Sequence, residues 1–231
     1  MEVNRVKILV SGPVHSGKSS YISNIDKNSL NISAKGRDNK FYTVGIDIGS
    51  TVLKNIRVSL FGTPGLLQFS TIRDIVAKGA DGVIFIFDAA HPEKDEQALT
   101  ILNHVRSVIE SNIPIIFLAN KQDLDNARPP EVIKAQNKLS NTAKIFPTSC
   151  KTGLNIKETL NFTVKEIVKN YQELLKTLEK YESNIKGLAS ELSKDKDEIR
   201  DFLNSLEIKE FIEIDRGNRT YKVNKDVKSF V

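Results

Sequence analysis

The chain has 231 residues, 39% hydrophobic and 27% charged, with a net charge of +5 at neutral pH. That balance excludes a disordered chain, and no run approaches the ~20 apolar residues of a membrane span. The single cysteine, Cys150, excludes a disulfide framework and predicts a reducing cytoplasm. Met1-Glu2-Val3 is no signal peptide, and Gly at position 2 and a Cys near the end are both missing, so no lipid anchor is expected.

In chain order, apolar runs alternate with helical patterns from Arg5 to about Lys169. The runs predict strands near 5–11, 43–49, 54–61, 82–88, 113–119 and 143–148, with helices near 17–25, 66–79, 92–111 and 129–139. This is an α/β pattern: a six-stranded, mostly parallel sheet with helices on both faces. Gly49-Ser50 lies between two strand-like runs and predicts a hairpin turn within 44–61, hence one antiparallel edge strand. A long helical pattern runs from Gly153 to about Ser183, longer than a usual helix and suited to bridging two units. Asn184–Ser193 and Lys194–Glu207 predict two further helices. Phe211–Asp215 and Arg219–Val223, around Arg216-Gly217-Asn218, predict a β-hairpin. Three helices and a hairpin in about sixty residues resemble a winged helix-turn-helix.

Gly12-Pro13-Val14-His15-Ser16-Gly17-Lys18-Ser19 follows the apolar run Val6–Val10 and opens a predicted helix. That strand, glycine-rich turn and helix form the context of a phosphate-binding loop. Backbone N–H groups at a positive helix N-terminus cradle phosphate. Lys18 would reach the outer phosphates, and the Ser19 hydroxyl would hold Mg²⁺. The basic surplus agrees: residues 1–183 carry 24 Lys/Arg against 19 Asp/Glu, whereas 184–231 carry 10 of each. A nucleic-acid or membrane surface is a weaker reading of the same charge. Further on stand Phe61-Gly62-Thr63-Pro64-Gly65, Asn120-Lys121-Gln122-Asp123 and Thr148-Ser149-Cys150-Lys151, the last two at the ends of predicted strands, where ligands of such sheets bind.

With these four segments in this order, residues 5–170 resemble the Ras superfamily of small GTPases. The likeness is to its Arf-like, Rab-like and signal-recognition-particle-receptor β-type branches and their prokaryotic relatives. The resemblance implies a GTPase domain over 1–170 and a bridging helix with a winged-helix-like domain over 171–231. It implies a GTP/GDP site made of Gly12, Val14, His15, Ser16, Gly17, Lys18, Ser19 and Ser20, with Thr43 and Gly65 from two switches. Asn120, Lys121 and Asp123, then Ser149, Cys150 and Lys151, would hold the base. The Asp123 carboxylate would accept both hydrogens of the guanine edge; adenine offers no matching pair, and a buried unpaired carboxylate is costly. Asn120 would brace the loop, and Lys121 would lie over the base. Ser19 and Thr43 would be the Mg²⁺ ligands, and Lys18, Thr43 and Gly65 the residues of catalysis. His15 also reads as a solvated loop residue, and Cys150 as a small packing residue rather than a nucleophile.

The second switch departs from the family pattern of Asp-x-x-Gly followed by Gln. Gly65 is kept, but Gly62 stands in place of the Asp and Leu66 in place of the water-orienting Gln. Leu66 has no donor or acceptor. Val14 replaces a glycine near the path of an arginine finger. Gln68 is a candidate substitute for the Gln. Asp47 and Asp88 can be considered for the missing Asp, though both read as structural strand residues.

Lys194–Asp201 holds four carboxylates and three basic groups where a DNA-reading helix would need positive charge. DNA is therefore disfavoured as a partner. The leading expectation is a cytoplasmic GTP-dependent switch with slow hydrolysis. Its second domain would serve protein effectors or regulators, and activating or exchange proteins would act on it. A GTP-responsive DNA-binding regulator and a non-hydrolysing GTP-bound scaffold are the alternatives.

Overall fold

A computed structural model describes residues 4–31, 33–35, 41–43, 45–54, 56–182 and 184–224, the side chains of 4, 33–35 and 41–43 excepted. The elements run β1 (Asn4–Ser11), α1 (Lys18–Ile25), β2 (Ser33–Lys35), β3 (Phe41–Thr43), β4 (Asp47–Leu53), β5 (Ile56–Gly62), α2 (Ser70–Ala77) and β6 (Gly82–Asp88). Then come α3 (Asp95–Val108), β7 (Ile115–Asn120), α4 (Pro130–Gln136), β8 (Lys144–Pro147) and α5 (Ile156–Lys180). The last elements are α6 (Ile185–Glu191), α7 (Lys196–Ile208), β9 (Ile212–Asp215) and β10 (Thr220–Val223).

The predicted six-stranded sheet is present, in the order β4-β5-β1-β6-β7-β8. All its neighbours are parallel except β4 with β5. The unbroken apolar run of β6 is buried at every position, as a strand covered on both faces must be. On one face α1 and α5 pack Tyr21, Ile22, Leu160 and Ile167 against Val6, Ile8, Val10 and Ile84. On the other, α2, α3 and α4 bring Val76, Ile101, Leu102 and Ile133 against Leu9, Phe85, Phe87 and Phe117. Each such side chain contributes about 1.5–3 kcal/mol by leaving water.

The hairpin turn is not where the sequence places it. Gly49 and Ser50 lie inside β4, opposite Leu60 and Ser59, and the chain reverses beyond Leu53, where Lys54 takes a left-handed φ of 54°. Gly49 serves a close approach instead: a Cβ there would come 2.6 Å from Cγ2 of Ile22 on α1. The strand expected over 43–49 is likewise divided. Thr43 ends β3, which pairs with β2 in a separate ribbon, and β4 begins at Asp47. Gly36, Asp38 and Asn39 of the expected mobile loop lie outside the described residues.

The helix α5 has 25 residues and outlasts the sheet. Its Leu175 and Leu178 join Leu188 of α6, Ile199, Leu203 and Leu206 of α7, and Phe211, Ile212, Tyr221 and Val223 of the hairpin in a third apolar cluster. The helix predicted from Lys194 begins at Lys196, because Asp195 is its N-cap. Asp195 accepts from the Asp197 and Glu198 N–H groups, while Glu198 reaches back to the Asp195 N–H.

A buried carboxylate fastens this cluster to the sheet. Asp81, just before β6, accepts the Lys7 backbone N–H at 2.7 Å, the Tyr171 hydroxyl of α5 and the Lys209 ammonium at the end of α7. The Tyr171 ring also lies 4.4 Å, centroid to centroid, from that of Phe211. The attachment is at the amino ends of the parallel strands. Removing one partner of a buried pair strands the other. Asp81→Ala should therefore cost about 3 kcal/mol, measured as a lower urea midpoint; a loss below about 1 kcal/mol would mean that Lys209 re-solvates freely.

Candidate nucleotide-binding site

At the carboxyl ends of β1, β7 and β8 a cleft of 550 Å³ opens, a volume that suits a small ligand of nucleotide size. The phosphate loop lines it with Val14, His15, Gly17, Lys18, Ser19 and Ser20. Gly65 and Leu66 come from the second-switch segment, Asn120, Lys121 and Asp123 from the end of β7, and Cys150 and Lys151 from beyond β8. Gly12, Ser16 and Ser149 are not among the residues that line it. The side chain of Thr43 lies outside the described residues.

The Asn120 carboxamide ties the loops together. Its Nδ2 donates to the Ser16 carbonyl at 2.7 Å, and its Oδ1 accepts the Cys150 N–H at 3.0 Å and the Thr148 hydroxyl at 3.4 Å. Gly17, at φ 108°, makes the first bond possible, because a Cβ there would lie 2.2 Å from Nδ2. The Cys150 thiol adds a long contact of 3.6 Å to the Gly17 carbonyl. Asn24 of α1, which the sequence did not single out, donates to the carbonyls of Ser20 and Cys150. A half-buried helical Asn carries no sequence signal for such a tie.

Asp123 accepts a short hydrogen bond from the buried Ser149 hydroxyl, and Lys151 lies 3.8 Å from its other oxygen. The Ser149 bond holds its carboxyl below the ordinary range, so it presents an anion to the cleft. Lys121 donates to Asp88 at 2.7 Å. Burial alone would push the Asp88 carboxyl up, but hydrogen bonds from Lys121, Lys94 and His91 outweigh it and leave it low. Asp88 is thereby fully committed, as its structural reading expects.

Lys18 is buried and donates to the Pro13 carbonyl at 2.7 Å. Burial pulls its ammonium down to about 7, with Asp47 pulling the other way and Arg73 and Lys94 adding to the lowering. The Ser19 hydroxyl donates to Asp47 Oδ2 at 2.6 Å. Asp47 is buried, and its Oδ1 has no hydrogen-bond partner among the described residues; the same holds for Ser16 Oγ. Burial holds the Asp47 carboxyl above the ordinary range despite Ser19 and Lys18.

The second switch is braced from behind. Arg73 of α2, 2% exposed, donates to the carbonyls of Pro64, Leu66 and Leu67, and Gln97 of α3 donates to that of Gly65. Gly65 sits so close to the phosphate loop that a Cβ would lie 2.6 Å from the Val14 nitrogen. Leu66 lines the cleft; Gln68 is exposed and does not. Arg73 was not singled out from the sequence, since an Arg on an amphipathic helix reads as solvated.

Three loops converging on one cleft at the carboxyl edge of a parallel sheet, one of them a phosphate loop, define a nucleotide-binding protein of the P-loop class. Comparison with known proteins narrows the class. The Ras family profile matches residues 7–169, and the chain belongs to that family. It is 27% identical over 173 residues to GTP-binding protein ypt4 of Schizosaccharomyces pombe, which covers 71% of each chain. It is 27% identical over 157 residues to Ras-related protein Rab-4A of Bos taurus, covering 66% of this chain and 69% of that one. Ras-related protein Rab-4B of Homo sapiens matches at the same identity and length. The protein is a small GTPase: it binds GTP and hydrolyses it to GDP and phosphate. Among the described residues no helix is long and apolar enough to cross a membrane.

Cys150 packs against the core, and burial pushes its thiol up to about 12. The reactive species is the thiolate. Against an ordinary thiol, its thiolate fraction at pH 8 is lower by about a thousandfold. Alkylation of the folded protein by iodoacetamide should be correspondingly slow and should keep rising above pH 10. A plateau near pH 9 would show that the thiol is solvated.

Proposed function

We propose that this GTPase is a guanine-specific switch with slow intrinsic turnover, dividing near residue 170 into the GTPase domain and a winged-helix-like unit that binds a protein partner. The observation that carries the reading is the Asn120 carboxamide joining the phosphate loop to the Thr148–Cys150 loop, with the Asp123 anion in the same cleft. In this reading the Asp123 carboxylate accepts the guanine edge, the aliphatic stem of Lys121 lies over the base, and the backbone from Ser149 to Lys151 faces it. Lys18 and the loop N–H groups hold the phosphates.

Hard oxygen donors suit Mg²⁺, and the site offers them: the Ser19 hydroxyl stands beside the Asp47 carboxylate, to which it donates. Ser19, with Thr43 of the first switch, would hold the ion. Bound there, it would neutralise charge on the outer phosphates. The chain itself positions those phosphates through Lys18 and the Gly65 N–H.

Slow turnover follows from Leu66, which lines the cleft where a water-orienting side chain would be needed. Protein rather than DNA as the second unit's partner is supported by its charges. Arg200 lies between Asp197 and Asp201, and Arg216 of the hairpin turn is held by both oxygens of Glu207. Neither is left over for a phosphate backbone. The lone, protonated Cys150 fits a reducing cytoplasm.

Competition for bound fluorescent GDP tests the reading: unlabelled GDP and GTP should displace it and ATP should not. Asp123→Asn should shift preference towards xanthine nucleotides. Displacement by ATP as strong as by GDP would overturn guanine specificity. Single-turnover hydrolysis tests the second part. Wild type should not exceed the order of 10⁻⁴ s⁻¹ of intrinsic Ras turnover, and Leu66→Gln should raise it by at least about tenfold. A fast wild type that Leu66→Gln leaves unchanged would mean another residue orients the water.

A further inference from the structure

The second switch lacks its carboxylate, and the geometry points to where it has gone: we propose that Asp47 of β4 is the carboxylate of the metal site, supplied across the strand pair to the place that Gly62 of β5 leaves open. The proposal rests on the reading of Ser19 as a metal ligand.

Asp47 and Gly62 are direct partners in the antiparallel register of β4 and β5. They compete for one space. A Cβ built on Gly62 would lie 2.9 Å from both Cβ and Oδ2 of Asp47, closer than side-chain carbons approach. A side chain at 62 and the Asp47 carboxylate therefore exclude one another. Glycine at 62 leaves room both for Asp47 and for Ile22 of α1, whose Cδ1 would also lie 2.9 Å from a Cβ there. The two positions act as one device, in which a carboxylate has changed strands while keeping its destination.

That destination is the phosphate loop. Asp47 Oδ2 takes the Ser19 proton at 2.6 Å. The residue is 1% exposed, yet its Oδ1 has no hydrogen-bond partner among the described residues. A buried carboxylate oxygen without a donor is costly unless a cation or its water satisfies it. The alternative carboxylate, Asp88, is held by Lys94, Lys121 and His91 and has nothing to offer. The hydrogen bond from Ser19 to Asp47 sets a hydroxyl oxygen beside a carboxylate, two hard oxygen donors of the kind that Mg²⁺ prefers.

The test measures metal, not turnover. Release of a fluorescent GDP analogue into excess GDP is followed at stepped free Mg²⁺. In wild type, release should slow as Mg²⁺ rises, with a defined midpoint. Asp47→Asn keeps the size and the acceptor for Ser19 but removes the charge. Its midpoint should move up about 10- to 100-fold, the effect of losing a partner of a metal site. A midpoint within about twofold of wild type would overturn the proposal. The exchange variant Asp47→Gly/Gly62→Asp returns a carboxylate from the other strand. It should recover Mg²⁺ sensitivity that Asp47→Gly alone lacks; equal midpoints for these two would also overturn it, and this pair decides if Asp47→Asn is poorly folded. Wild-type release indifferent to Mg²⁺ would sink the metal reading and the proposal with it. Guanine specificity, measured by the ATP competition, stands or falls separately.

Discussion

One side chain, the Asn120 carboxamide, sets the geometry on which the site depends. Parallel strands deliver their following loops to one edge of a sheet, but nothing in the sheet fixes those loops relative to one another. Asn120 does so with a donor to the Ser16 carbonyl and an acceptor for the Cys150 N–H. The first bond is buried and the second half-buried, so a lost partner would leave an unsatisfied amide or carbonyl at about 1–3 kcal/mol. The phosphate loop and the loop after β8 are thereby held at a fixed separation.

The second switch shows a different division of labour. Its backbone is held by Arg73, Gln97 and the packing of Gly65 against Val14, so the Gly65 N–H is positioned without help from the loop's own side chains. The side chains that would do chemistry are the ones replaced. What remains is a segment whose backbone is held from α2 and α3; under the proposed reading, binding and turnover rest on separate residues.

The fold was legible because its cues are local. Strand runs and helical spacing gave the sheet, its one antiparallel edge and the terminal hairpin, and the phosphate and base loops are contiguous motifs at strand ends. What stayed hidden depends on pairing across the chain. The sequence marks Gly62 as the place of the missing Asp and leaves Asp47 and Asp88 both open as its replacement; only the register of β4 with β5 sets Asp47 opposite Gly62. Gly49 reads as a turn residue but answers to the nearness of Ile22 inside β4, a tertiary fact. Arg73, on an amphipathic helix, reads as solvated; burial, which the sequence does not encode locally, makes it a brace and makes Asp81 a fastening. Arg216, in the predicted hairpin turn, is held by Glu207.

The helix α5 begins directly after the loop that follows β8 and lines the cleft, and it ends inside the third apolar cluster. At 1.5 Å per residue its 25 residues span roughly 37 Å without a break. Both of its ends are anchored, one by Asn155 donating to the Pro147 carbonyl and the other by the Tyr221 hydroxyl donating to the Leu178 carbonyl. Such a rod transmits angular phase. Each inserted residue would turn everything beyond it by about 100° and advance it by about 1.5 Å, carrying the third cluster as a body, with Lys209, away from Asp81. Two full turns restore the angle but leave a shift of about 11 Å, so the length of this segment is set by the fastening at its side.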